Sequence, residues 1–271
     1  MLGHQLFKYF SKDTRFEAFG VVRSTLDRQL FPNHSSYDLP ILDDIWNSDN
    51  LLKILDECKP SVVINCIGAV KQAKHLKTVD FININSVFPH LLSDLTSARN
   101  IRLIHFSTDC VFGEGPGTYS ESDAPICQDI YGRSKVLGEI TNCDLSMTIR
   151  TSIVGRELKN KYGLFEWFLN SDKTVKGYTN AHFTGLSTFQ VSEVTRKIIL
   201  AGHAYSGLYH LAAERISKFD LLVLMNDHFD LKKTVVASTL DTRVDRSLDG
   251  SRLASLINLP KISWNEMVKT L

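Results

Sequence analysis

Short apolar runs alternate with helix-like segments through the first 155 residues, and this alternation constrains the fold more than any other feature. The runs have the length of buried strands and are bounded by polar, glycine or proline residues: FEAFGVV (16–22), SVVINCIGAV (61–70), IRLIHFST (101–108) and SMTIRTSIVG (146–155). The segments between them have helical character: NLLKILDEC, FPHLLSDLTSARN and YGRSKVLGEITN. Nearly continuous apolar strands are typical of parallel sheets covered on both faces. The sequence therefore predicts an α/β fold with a doubly wound parallel sheet.

After residue 155 the alternation loosens, which predicts a second part of the chain. GLFEWFLN, VSEVTRKIILAG and KFDLLVLMNDHF have helical patterns, and GLYHLA has the pattern of a strand. The stretch from Lys232 onward predicts a small α/β appendage. We therefore divide the chain into residues 1–155 and residues 156–271, the second part being interleaved with the first.

The composition excludes several classes of partner. A net charge of +1 gives no electrostatic case for a nucleic-acid polymer or an anionic membrane surface. No apolar run approaches the ~20 residues of a membrane helix, and HQLFK interrupts any signal-peptide core. The cysteines have no metal-ligand spacing: Cys58, Cys66, Cys110, Cys127 and Cys143. We expect a cytoplasmic protein with reduced thiols and no metal site.

Three residues in the middle of the chain suggest proton-transfer chemistry. Thr108 closes an apolar strand, and Tyr131 and Lys135 have the four-residue spacing that places two side chains on one helix face. An ammonium beside a phenol favours the phenolate and lowers a pKa that starts near 10. A hydroxyl at the strand end can hydrogen bond a substrate carbonyl. The group therefore suits hydride transfer to a ketone, whose oxygen needs a proton.

The residues around these three carry a family resemblance. STDCVFGEGPGTYSESDAPICQDIYGRSKVLGE resembles the S-T-D-x-V-F-x-G, Y-x-E-x-D-x-P and Y-G-x-S-K-x-x-G-E motifs of the dTDP-4-dehydrorhamnose reductase group, within the extended short-chain dehydrogenase/reductase family. TIRTSIVG resembles its L-R-T-S strand, and DRSLDGSRL its R-P-x-x-S-x-L-D motif. FTGLST resembles a Q-x-G-x-P-T loop, with departures at Phe183 and Ser187. The resemblance covers essentially the whole chain.

The resemblance implies a Rossmann-like fold and an enzyme that reduces a nucleotide-activated 4-keto-6-deoxysugar in deoxysugar and cell-surface polysaccharide biosynthesis. Residues 1–155 would bind NADPH, with NADH as the alternative, and residues 156–271 would bind the nucleotide sugar. Thr108 would orient the carbonyl, Tyr131 would donate the proton, and Lys135 would also bind the nicotinamide ribose. The resemblance allows a homodimer.

Further site residues follow by matching positions. On the cofactor side they are Gly3, Arg23, Asp44, Ile45, Cys66, Ile67, Gly68 and Asn85, together with Tyr131 and Lys135. Arg23 ends the second predicted strand, where a cation favours an adenosine 2′-phosphate and hence NADPH; the alternative is a solvated loop arginine. On the substrate side they are Asp109, Cys110, Arg150, His182, Gly185 and Arg246. Arg150 is either a cation of the pocket or a packing residue at the strand end.

Two other functions remain open. In a sugar-nucleotide epimerase-reductase, Cys110 and His182 would exchange a proton next to the ketone; the alternative is a buried apolar cysteine and a loop histidine. A 4,6-dehydratase is disfavoured because Cys110 stands where those enzymes carry glutamate, which leaves no evident base. A non-catalytic regulatory homologue is the third hypothesis, and the presence of Thr108, Tyr131 and Lys135 disfavours it.

The N-terminus departs from the family pattern. MLG resembles the end of a G-x-x-G-x-x-G turn, with Gly3 as its final glycine. The strand before that turn, and most of the turn itself, are missing from this sequence. A central strand contributes about ten ladder hydrogen bonds of about 1 kcal/mol each. We therefore expect either a gene product that starts upstream of Met1 or a damaged enzyme.

Overall fold

The computed structural model describes residues 1–35, 38–159, 161–202 and 205–271. The α-helices of these ranges are α1 (Leu2–Phe10), α2 (Thr25–Arg28), α3 (Ser48–Cys58), α4 (Thr78–Ile82), α5 (Phe88–Ser97), α6 (Ile130–Leu137), α7 (Leu164–Asn170), α8 (Thr188–Leu200), α9 (Lys218–His228), α10 (Ser251–Leu256) and α11 (Trp264–Met267). The strands are β1 (Val62–Asn65), β2 (Arg102–Thr108), β3 (Ser146–Thr151), β4 (Ile153–Val154), β5 (Thr174–Tyr178), β6 (Ala181–Phe183), β7 (Leu186–Ser187), β8 (Gly207–His210), β9 (Ile216–Ser217), β10 (Thr234–Ser238) and β11 (Val244–Asp245).

The main sheet has four parallel strands in the order β1–β2–β3–β8. Its register places Thr108 opposite Thr151, so β2 and β3 end at the same level. Strands predicted from the apolar runs at 61–70, 101–108 and 146–155 all contribute to it, although β1 and β3 are shorter than those runs. The predicted parallel α/β architecture is confirmed.

Both faces of this sheet are covered, as a doubly wound fold requires. Leu103 of β2 packs on one face with Phe88 and Leu92 of α5. Ile104 points to the other face, where it belongs to a larger core with Leu6 of α1. Because neighbouring residues of one strand enter different cores, the strand is apolar on both sides, and this explains the unbroken run in the sequence.

The prediction of a strand over 16–22 is wrong. Only Val22 forms a β-bridge, parallel with Ile41, and the two segments pair through a few backbone hydrogen bonds. Within the described residues no strand pairs with the outer edge of β1, so the 16–22 segment has no ladder on its other side. A strand upstream of Met1 stays a prediction.

Residues beyond 155 build smaller sheets and also enter the main one. β8 is the edge strand beside β3. The smaller sheets have the orders β10–β5, β11–β6–β9 and β4–β7. This arrangement agrees with an interleaved second part, while the boundary at residue 155 stays a prediction.

A π-helical turn, Asn83–Val87, joins α4 to α5 and packs on the end of α6. Gly138 follows the last residue of α6, and a Cβ at this position would collide with the carbonyl oxygen of Asn85. The close approach of the two backbones brings the side chain of Asn85 under α6. π-Helical turns are often found at functional sites.

Within the described ranges, no helix has both the length and the apolar character needed to cross a membrane.

Candidate active site

Thr108 lies at the carboxyl end of β2, where the chain turns into a short 3₁₀ helix, Asp109–Phe112. Its hydroxyl accepts a hydrogen bond from the backbone N–H of Cys110 at 3.1 Å and donates one to Asp109 Oδ1 at 3.3 Å. The side chain is 7% exposed. Thr108 therefore caps the 3₁₀ helix and holds Asp109 and Cys110 in a fixed position beside it.

Tyr131 and Lys135 lie one turn apart on α6, which Asp129 caps by accepting a hydrogen bond from Gly132 N–H at 2.9 Å. The Lys135 ammonium donates to the carbonyl oxygen of Phe106 on β2 at 2.7 Å. The Thr108 hydroxyl is near enough to the Tyr131 phenol to lower its pKa. The structure thus brings the three predicted catalytic side chains together at the end of β2.

The predicted effect of Lys135 on Tyr131 is wrong. Burial raises the pKa of Tyr131 above its ordinary value, and the nearby Cys110 and Asp109 act in the same direction. The Thr108 hydroxyl opposes this rise. Burial also lowers the pKa of Lys135 to about 8, against the attraction of Glu139 and Cys66. Tyr131 therefore keeps its proton at neutral pH.

Asn85 joins the loop after β1 to α6. Its Oδ1 accepts from Ala69 N–H at 2.8 Å, and its Nδ2 donates to Ala69 O at 3.1 Å and to Ser134 Oγ at 3.0 Å. The side chain is fully buried, so Asn85 positions the predicted cofactor loop instead of touching a ligand. A Cβ on Gly68 would lie 4.0 Å from Lys135 Nζ, which places this loop against the Lys135 ammonium.

The other predicted cofactor residues fall into two groups. Gly3 packs against Cys66, since an added Cβ would lie 3.3 Å from the Cys66 Cβ, and Ile67 follows with 37% exposure. Arg23, Asp44 and Ile45 belong to the separate segment that pairs through the parallel Val22–Ile41 bridge. They follow the two bridge residues and so lie at the same end of it, with Arg23 and Asp44 exposed.

Three predicted substrate residues cluster beside Thr108. Arg246 donates from Nε to Gly113 O at 2.9 Å and from Nη1 to Cys110 Sγ at 3.5 Å. Burial raises the pKa of Cys110 to about 11 and that of the Asp109 carboxyl above its ordinary value. Arg246 opposes both rises. Cys110 is therefore a protonated thiol here and not a reactive thiolate.

Arg150 packs in the core and is not a cation of the pocket. It forms a buried ion pair with Glu139, with Nε and Nη2 each donating at 2.7 Å to one carboxylate oxygen. The two side chains are only 3% and 6% exposed. Ser107 donates to the same carboxylate at 2.7 Å, and Arg150 Nη1 approaches His210 at 3.4 Å. The donors of Arg150 are directed to protein partners, so its predicted role in substrate binding is wrong.

The pairing of His182 with Cys110 stays a prediction. The charged groups that act on His182 are Arg215, Asp245, Arg243 and Asp220. Gly185 is buried against the ring of Phe183, where a Cβ would be 2.8 Å from the ring atom Cδ2. Gly185 therefore restricts the position of the Phe183 ring.

Lys218 is a site residue that the sequence did not suggest. It is the first residue of α9, and it joins Arg246 in opposing the rise in the pKa of Asp109. The only signal in the sequence is the position itself, because a cation in the first turn opposes the helix dipole.

Comparisons with known proteins give a consistent result. The family model described as "RmlD substrate binding domain" matches residues 2–269. A dTDP-4-dehydrorhamnose reductase from Aggregatibacter actinomycetemcomitans is 27% identical, over 76% of each chain. A hypothetical dTDP-4-dehydrorhamnose reductase structure from Sulfolobus tokodaii superposes with a TM-score of 0.77 at 23% identity, covering 97% of this chain and 93% of that one. A Bacillus anthracis reductase in complex with NADP has a TM-score of 0.71 at 19% identity, covering 92% and 95%.

The buried ammonium of Lys135 should make stability depend on pH. Its folded pKa of about 8 lies below the value of 10.5 for an exposed lysine, so the unfolded chain takes up this proton first as pH falls. The free energy of unfolding should therefore decrease from about pH 10.5 to about pH 8 and then level off. Urea denaturation of Lys135→Met at a series of pH values should show a free energy of unfolding that changes less with pH in this window.

Lys197→Met, at an exposed lysine of α8, is the matched control and should keep the native slope. An unchanged slope in Lys135→Met would contradict the burial of this charge.

Proposed function

The chain belongs to the family of the RmlD substrate binding domain, and from this premise we propose that it reduces the 4-keto group of a nucleotide-activated 4-keto-6-deoxysugar with NADPH. The observation that carries the proposal is the convergence of Thr108, Tyr131 and Lys135 at the end of β2. The names of its relatives, which are dTDP-sugar reductases, support the same reaction class.

The residues present fit a nicotinamide cofactor. Lys135 carries three N–H donors, and in the described chain only the carbonyl oxygen of Phe106 takes one of them. Two donors remain for ribose hydroxyls. Gly68 leaves open the space beside this ammonium, because its missing side chain would point toward Lys135 and Asn85. When bound, the reduced nicotinamide supplies a hydride to the carbonyl carbon.

The protein's own part in the reaction is to bind and protonate the carbonyl oxygen. The Thr108 hydroxyl donates a hydrogen bond that orients the carbonyl, and the Tyr131 phenol donates its proton to the oxygen as negative charge develops there. A pKa raised by burial keeps the phenol protonated beforehand. Lys135 then stabilises the phenolate that remains.

The two other hypotheses find less support. The charged groups that act on His182 are led by Arg215 and Asp245, and Cys110 is a protonated thiol, so neither residue is prepared for proton exchange with the other. The three catalytic side chains are brought together, which a purely regulatory homologue would not require. A sugar-nucleotide reductase therefore remains the proposal.

We also propose that the enzyme is a cytoplasmic homodimer. Aliphatic side chains are exposed on α4, the following π-helical turn and α6, which pack together: Val79 55%, Val87 47% and Leu137 62%. Contiguous exposed apolar surface often marks an interface. The cysteines described by the structure are all free thiols, which suits a reducing compartment.

Tyr131→Phe should abolish reduction while leaving the fold intact. The variant removes only the proton donor, so turnover should fall about 10²–10⁴-fold with little change in NADPH binding. The assay follows NADPH oxidation with dTDP-4-keto-6-deoxyglucose and related nucleotide 4-keto sugars. Tyr178→Phe, at a tyrosine 37% exposed on β5, is the control and should retain native turnover. Native turnover in Tyr131→Phe would refute the proposed acid.

Arg23→Ala tests the choice of cofactor. If the exposed guanidinium binds the adenosine 2′-phosphate, its loss should weaken NADPH binding about tenfold or more and leave NADH binding nearly unchanged. Fluorescence titration of each nucleotide measures both constants. Equal effects on NADPH and NADH would show that Arg23 does not bind this phosphate.

Leu137→Glu tests the dimer. A carboxylate in an apolar interface costs desolvation, so the variant should sediment as a monomer under conditions where the native chain is a dimer. Sedimentation equilibrium measures the two masses. Val236→Glu, at an exposed valine of β10, is the control and should not change the native mass. A dimer that survives Leu137→Glu places the interface elsewhere.

A further inference from the structure

We propose that Lys218, together with Arg246, forms an oxyanion subsite beside the reacting sugar and so determines which nucleotide sugars the enzyme accepts. The inference rests on the proposed function and adds a specificity residue to it. The ligand chemistry is an oxygen anion of the substrate, supplied either by the diphosphate or by a charged substituent on the sugar.

The position of the Lys218 ammonium is defined by an aromatic wall. Its Nζ lies 3.3 Å from the centroid of the Phe183 ring, a close cation–π contact. Phe183 is itself fixed, because Gly185 leaves no room on one side and the ring packs against Trp264 at 5.8 Å between centroids. The ammonium therefore rests on a ring whose own position is fixed.

The donors of this ammonium are not used by the protein. In the part of the chain that the structure describes, no carboxylate, carbonyl or hydroxyl oxygen accepts a hydrogen bond from Lys218, and its ammonium stacks on the Phe183 ring. Burial lowers the pKa of Lys218 to about 8, so the desolvation of this charge is not fully compensated. Lys218 is partly exposed, so its N–H donors are open to acceptors from a ligand.

The stability of α9 does not explain why a lysine stands at position 218. Lys218 is the first of eleven residues of that helix, where a positive charge opposes the helix dipole. Ser217 already caps the helix by accepting a hydrogen bond from Asp220 N–H. Lys218 contributes nothing to this cap.

The charges around Lys218 favour an anion. The titratable and charged groups that act on it are Asp109, Cys110 and Arg246. Arg246 donates only to neutral atoms, Gly113 O and Cys110 Sγ. Cys110 is a protonated thiol because its pKa is raised to about 11. Two cations therefore face the single carboxylate of Asp109, which leaves an excess positive charge for a substrate oxyanion to neutralise.

This cluster is continuous with the catalytic residues. Asp109 and Cys110 follow Thr108 directly, and both influence the pKa of Tyr131. The groups that act on Lys135 are Glu139 and Cys66, whereas Asp109, Cys110 and Arg246 act on Lys218. An oxyanion bound here belongs to the substrate and not to the nicotinamide.

The experiment measures binding to native protein, Lys218→Met, Lys218→Arg and the exposed control Lys197→Met. The probes are UDP, UDP-glucose and UDP-glucuronate, with dTDP and dTDP-glucose for the other nucleotide, in the presence of NADP⁺. Lys218→Met should weaken an anionic probe about tenfold or more, and Lys218→Arg should recover most of that loss because it restores the charge. Lys197→Met should bind like the native protein.

The probes distinguish an oxyanion of the diphosphate from a charged substituent on the sugar. A loss already seen with UDP or dTDP assigns the oxyanion to the diphosphate, and a loss confined to UDP-glucuronate assigns it to the sugar. The advantage of native protein over Lys218→Met should also shrink as pH rises above about 8, whereas Lys218→Arg should keep its affinity. A merely structural lysine would not produce this pH dependence.

Native affinity of Lys218→Met for every probe, or a loss that Lys218→Arg does not restore, would overturn the subsite. NADPH binding and the activity of native protein are measured in the same preparations. Failure of those two measurements in native protein would instead count against the proposed reductase function, so the two conclusions can fail separately.

Discussion

The side-chain amide of Asn85 holds together the two segments on which the candidate site is built. It bonds both backbone groups of Ala69 in the loop after β1 and the hydroxyl of Ser134 in α6. Because α6 carries Tyr131 and Lys135, this one buried amide fixes the catalytic helix relative to the predicted cofactor loop. The π-helical turn and the absence of a side chain at Gly138 allow it to reach both.

The positive charges of the site form two groups near the end of β2. On the side of α6, Lys135 has a donor bound to Phe106 and faces the glycine of the loop after β1. On the other side, Arg246 and Lys218 surround Asp109 and Cys110. Burial raises the pKa of both Tyr131 and Cys110, so the hydroxyl and thiol between these cations remain neutral. The protein thus presents protonated donors and positive charge to a ligand that brings negative charge.

Local pattern was enough to predict some elements. The run at 101–108 is apolar on both faces, and it forms β2 because two cores bury its alternate side chains. The helix predicted from Tyr131 onward ends at Leu137, earlier than its pattern indicates, and the glycine that follows lies close to the distant backbone of Asn85. The 16–22 run has the same apolar character as β2 but finds only one bridge partner, because pairing depends on the neighbouring strands.

The chemistry of the site was predictable only where a motif carried it. Thr108, Tyr131 and Lys135 come together as their spacing predicts. The sequence left the role of Arg150 open and did not suggest Lys218, since only the fold reveals that Glu139 satisfies the first and that no described acceptor satisfies the second. The pKa of Tyr131 likewise depends on burial, which a sequence does not display.

The ion pair between Glu139 and Arg150 beneath the site has a consequence for how this gene can vary. Removing either partner leaves an uncompensated buried charge at a cost of about 3–5 kcal/mol, whereas an apolar pair of similar volume is often tolerated. Such a loss is a large part of the ~5–15 kcal/mol that keeps a domain folded. A substitution at one of these positions alone therefore removes much of the stability of the fold. We expect Glu139 and Arg150 to be replaced together during evolution and not one at a time.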